Sequence, residues 1–175
     1  ENAARIVSVR LEELRSFVPA ALHADCVTEQ HDMRLAAKRL RYILEATEFC
    51  FGRSGSIARR RAKELQDILG ELHDCDVMLP RVKRHVDELR SADAAAVRAR
   101  AGDATDLDPA LAARAPHRTA YRGLEVLAVY IEGRRALLFD RFTEFWSEQE
   151  RAGTWERLDR AAQELCSAGR KARVA

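Results

Sequence analysis

No stretch of this 175-residue chain approaches the roughly 20 consecutive apolar residues that a membrane-spanning helix needs, which argues against a membrane protein. Cysteine is scarce and scattered. Cys26, Cys50, Cys75 and Cys166 have none of the paired spacings used for zinc or redox chemistry, and they read as reduced, mostly core residues. No signal or transit segment is visible, so the cytoplasm is the expected compartment. Nor is there a large excess of one charge, the formal net value being +2. What remains is a chain with 47% hydrophobic and 33% charged residues, long enough for one soluble domain over residues 1–175 with a real core.

The apolar spacing predicts helices and nothing else. Val7, Leu11, Leu14 and Val18 place a first helix over about 3–22. A second, with Thr28 as its expected N-cap, ends before the glycine-containing turn at 52–56. A third starts near Ser56 and carries the stripe Leu65, Ile68, Leu69, Leu72, Cys75, Leu79, Val82, Val86 and Leu89, with a kink or junction expected at Pro80. Residues 91–115 lack periodicity and read as a loop. A fourth helix runs from Pro116 to about Glu150, and a short last one starts at a Thr154 cap and ends before Gly169. The expected architecture is an all-α, antiparallel bundle of about five helices.

Charge is unevenly placed. Between His31 and Lys63, nine Lys or Arg residues face three acids, Asp32, Glu45 and Glu48. At about 100° per residue, His31, Arg34, Lys38 and Arg41 fall within one arc of roughly 80°, while Met33, Ala36, Ala37, Leu40 and Leu44 gather on the other side. A solvated helix face interleaves acids with its bases at spacings of three and four, and this one does not until Glu45. Such a stripe suits a polyanion. The third helix adds Lys63, Gln66, Gly70 and His73 along one edge, with Arg59 and Arg60 a turn earlier. On the fourth helix Arg135 sits within the apolar stripe, with Arg134 at its margin, and an arginine there needs a partner or must reach out to solvent.

HDMRLAAKRLRY, residues 31–42, together with LQDILGELHDCDV, residues 65–77, resembles the CHAD family, the conserved histidine α-helical domain. The resemblance is densest over 29–82. It implies a helical bundle that binds inorganic polyphosphate without catalysis, cofactor or metal, through a basic groove. The positions it assigns to the ligand are His31, Arg34, Lys38, Arg39 and Arg41, and more loosely Lys63 and Arg135. Members of the family usually carry two similar halves, each with a His- and Arg-rich helix, and only one such helix is found here. Either one half suffices or two copies form a homodimer across a two-fold axis.

Two rivals come from other classes. The dipeptides His31-Asp32 and His73-Asp74 superficially match HD phosphohydrolases, which place His and Asp around a divalent metal, although Arg34 and Lys38 would repel that metal. A nucleic-acid binder could use the same stripe, but Tyr42 alone offers a ring for base stacking.

Overall fold

The computed structural model describes the backbone of residues 2–174 and the side chains of residues 2–169. It is all-α, with no strand among the described residues. The helices are α1 (Asn2–Ser16), α2 (Val18–Ala21), α3 (Val27–Thr47), α4 (Gly52–Ala101), α5 (Pro109–Ala112), α6 (Arg118–Arg151) and α7 (Thr154–Val174), with a 3-10 turn at Glu48–Cys50. None of them is long and apolar enough to cross a membrane among the described residues. Two compact units divide the chain: residues 1–73 with 137–175, and residues 74–136.

In the first unit α1 packs on α3 and α7. Val7, Leu11 and Leu14 of α1, Met33, Leu40 and Leu44 of α3, and Leu65, Leu69 and Leu72 of α4 are buried, as their spacing predicts. Each such side chain contributes about 1.5–3 kcal/mol by leaving water. Trp146 of α6 and Trp155 of α7, both buried, stack with ring centroids 5.8 Å apart. Arg15 reaches Glu156 at 3.3 Å and Asp159 at 3.7 Å, tying α1 to α7.

Several boundaries differ from the sequence expectation. The first helix stops at Ser16 rather than near 22, because Pro19 has no N–H to continue the ladder and instead opens α2. Thr28 is not the cap of α3. Cys26 holds that place without a side-chain bond, and the junction is fixed by buried Gln30, whose amide donates to the carbonyls of Ala21, His23 and Ala24. Thr154 opens α7, but its hydroxyl is turned to Gln149 Oε1 at 3.0 Å, and α7 runs to Val174.

Helix α4 starts at Gly52, whose φ of +54° only glycine adopts readily, rather than at Ser56, and it continues through Pro80. It also occupies the first half of the expected 91–115 loop. The connection is 102–117, interrupted by α5, and α6 begins at Arg118. Two causes extend α4. The segment ADAAAVRARA is rich in the strongest helix formers, and the apolar stripe persists with a polar member, Asp93. Asp93 is buried in the second unit and accepts bonds from the His117 backbone N–H at 3.1 and 3.2 Å, with His117 Nδ1 2.8 Å away.

The second unit pairs the C-terminal part of α4 with the N-terminal part of α6. Val82, Val86, Ala115 and Ile131 form its small apolar core. Ion pairs Lys83–Glu132 (2.7 Å) and Arg90–Glu125 flank it, each worth under about 1 kcal/mol.

Gly55 is a steric requirement. A Cβ there would lie 2.7 Å from the Glu48 carbonyl oxygen and 2.9 Å from Phe51 Cβ. We expect Gly55→Ala to cost about 1–3 kcal/mol in urea denaturation, because the first turn of α4 must lift off the 3-10 turn. Glu13 gives a pH-dependent check. Partial burial raises its pKa, but hydrogen bonds from Arg10 and Arg39, with their charges, outweigh this and hold the carboxyl below the usual glutamate range. Its folded pKa being depressed, the stability it adds is full above the ordinary glutamate range and is lost as pH falls through the folded value. Glu13→Gln should therefore cost about 0.5–1 kcal/mol at neutral pH, a difference that shrinks in acid denaturation series.

Candidate anion-binding groove

Helices α3 and α4 run antiparallel in the first unit, and two contacts set their register. The rings of His31 and His73 approach to 4.4 Å between centroids, and Gly70 lies beside Arg34, whose Nε would be 3.5 Å from a Cβ at that position. Each step forward along α3 then meets a step back along α4, which brings Lys38 level with Gln66 and Arg41 level with Lys63. At the far end Arg59 Nε donates to Glu48 at 2.5 Å, closing the turn between the helices.

The cations predicted from sequence stand in different circumstances. Arg34 and Lys38 have no carboxylate within ion-pair distance among the described residues, and Arg34 Nε is buried without a hydrogen-bond partner. The buried His31 Nδ1 and Gln66 Oε1 also lack partners. Gln66 can present oxygen or, by rotating its amide, NH2. Arg41 donates to Glu45 at 2.8 Å through Nη1 and lies 4.3 Å above the exposed Tyr42 ring, leaving its buried Nε unsatisfied. Lys38 Nζ is 5.9 Å from the same ring.

Arg39 points around α3 to Glu13 of α1 and helps hold those helices together. Lys63 donates to Asp67 at 2.6 Å. It also lines a cavity of about 260 Å³ with Arg60, Glu64, Asp67, Ile68 and Glu71 of α4 and Arg141 of α6. Arg135 belongs to the second unit, where Nε donates to Asp76 at 2.5 Å, so this partly buried arginine has the acid that its place on an apolar stripe demands. Arg134, in the same unit, has Nη1 3.8 Å from Cys75 Sγ. His31 and Arg34 thus meet α4 at His73 and Gly70, Lys38 and Arg41 follow on the same face of α3, Lys63 is level with Arg41 but held by Asp67, and Arg39 and Arg135 are engaged elsewhere. Sequence reasoning missed Arg141, because nothing in its local pattern tells that it faces a cavity with residues of α4.

The arrangement can hold an extended anion by charge and by forked donors. Among the described residues no group of three or more His, Cys, Asp or Glu is placed to hold a metal ion.

An all-α protein whose α3 carries a cationic stripe beside α4 is the class defined here. The CHAD domain model matches residues 1–83, from α1 into α4. Over those residues, just under half of its length, the chain is similar to the CHAD family. No curated protein and no solved structure matches the chain.

The groove makes Gly70 a graded probe. Alanine there meets Arg34 at ordinary contact distance and removes the helical penalty of glycine, so Gly70→Ala should raise stability by up to about 1 kcal/mol in thermal unfolding. Gly70→Leu, which must displace the Arg34 guanidinium, should give no such gain.

Proposed function

We propose that this chain binds inorganic polyphosphate, without catalysis, along the groove formed by His31, Arg34, Lys38, Arg41 and Lys63. The observation that carries the reading is the state of Arg34 and Lys38, cations without a carboxylate partner beside buried polar atoms that lack hydrogen-bond partners. The CHAD match over residues 1–83 supports a polyphosphate-related role.

The physical case is one of charge balance. Like charges at helical spacing repel in the empty groove by a few tenths of a kcal/mol per pair, and a row of phosphates turns that repulsion into attraction. A polyphosphate has almost no apolar surface, so recognition must come from hydrogen bonds and charge: forked arginine donors, the compact Lys38 ammonium, and a histidine donor. Counterion release makes such binding fall steeply with salt. Arg39 and Arg135 enter this reading only by exchanging Glu13 and Asp76 for the ligand. A cytoplasmic location and a homodimer that unites two motif helices belong to the same proposal, and sedimentation across concentrations tests the latter.

Calorimetric titration with long-chain polyphosphate at two salt concentrations, with single-stranded DNA of equal charge as competitor, tests the core claim. Salt-sensitive binding that DNA does not displace is expected. Reversing both Lys38 and Arg41 to Glu should weaken it by about a hundredfold or more and flatten the salt dependence. Unchanged affinity and slope would refute the groove assignment. Equal displacement by DNA would favour the nucleic-acid reading, for which the exposed Tyr42 ring beside Lys38 and Arg41 is the one aromatic platform on the stripe.

A further inference from the structure

The cations of the first unit do not end at the groove. Lys63 is level with Arg41 at one end of the stripe and also lines the cavity; at about 100° per residue it lies between the arc of Gln66, Gly70 and His73 and the arc of Arg60, Glu64, Asp67 and Glu71, on the crest between the two. Beyond it, Arg60 of α4 and Arg141 of α6 face the same cavity, are exposed, and have no carboxylate partner among the described residues. The acids there are already committed: Glu64 accepts from Arg61 at 2.6 Å, Asp67 accepts from Lys63 at 2.6 Å, and Glu71 is not free either. Arg60 and Arg141 are therefore the cations of the cavity that hold no ion pair among the described residues, although Glu64, Asp67 and Glu71 line it beside them, and about one helix width separates them from the groove.

We infer that Arg60 and Arg141 form a second anchoring point for the same polyanion, reached across Lys63, and that they make the protein select long chains over short ones. The inference rests on the polyphosphate reading above and adds to it the length of ligand that the site recognises. Geometry supplies the threshold. The stripe from His31 to Arg41 occupies about 15 Å of helix, and α4 with its side chains is about 10–12 Å across. A tripolyphosphate can satisfy only part of the stripe. A chain of many phosphates can cover it, cross at Lys63 and still present anionic oxygens to both arginines. The second contact then acts as an intramolecular event at high effective concentration, which raises affinity without changing the first contact. The Lys63–Asp67 pair is exposed and weak, so Lys63 can turn from its acid to the ligand at small cost.

The test compares tripolyphosphate with long-chain polyphosphate on the full chain, by calorimetry at fixed salt, for the wild type and the double variant Arg60→Gln, Arg141→Gln. Both side chains are exposed, so folding should be unaffected, which circular dichroism checks. The expected result is long-chain binding weakened about tenfold or more, a salt slope shallower by about 1–2, and tripolyphosphate affinity unchanged. Asp67→Asn, which removes the acid that competes for Lys63, should move long-chain affinity in the opposite direction. Equal weakening of both ligands, or no change in either, overturns the second anchoring point while leaving the groove intact. A wild type that binds neither ligand overturns the polyphosphate reading and this inference together.

Discussion

Everything at the groove depends on α3 and α4 being packed antiparallel in a single register. A slip of one residue along either helix would turn its facing side chains by about 100° and take Arg34 away from Gly70 and His31 away from His73. The register is held where the chain reverses. Gly55 lets the first turn of α4 rest on the Glu48 carbonyl, and Arg59 clamps the Glu48 side chain from one turn further on. At the other end Gln30 ties α3 to the carbonyls of Ala21, His23 and Ala24. These contacts lie outside the stripe, yet they decide which cations share a face.

Two populations of cation follow from this packing. Arg39, Arg59, Arg61 and Arg135 are each matched to an acid and serve the fold. Arg34, Lys38, Arg60 and Arg141 have no such match among the described residues. A net charge of +2 does not reveal the distinction. Leaving the second unmatched sacrifices a little stability, which under the proposed function is the cost of a surface kept for an anion.

Periodicity makes much of this legible in the sequence. The arc of His31, Arg34, Lys38 and Arg41 and the apolar seams of α1, α3 and α4 needed only the angle of a helix. Other features were illegible for particular reasons. The helical character of residues 91–101 was masked because a buried polar residue, Asp93, occupies a stripe position, and its partner His117 is known only from the fold. Gln30 and Arg141 act on residues that local spacing does not connect to them, and Arg39 differs from its neighbours only in having Glu13 within reach. Pro19, by contrast, is legible in the sequence itself, because a missing N–H at that point ends α1.

The stacked indoles carry an optical consequence. Trp146 and Trp155 are the chain's two tryptophans, and both lie in the first unit, against each other. Tryptophan emission therefore watches the junction of α6 and α7 and is blind to the hairpin of residues 74–136, whereas amide ellipticity adds the helices of both. The gap between the two curves in one melt is a direct reading of whether the unit that bears the groove and the unit that does not come apart as one.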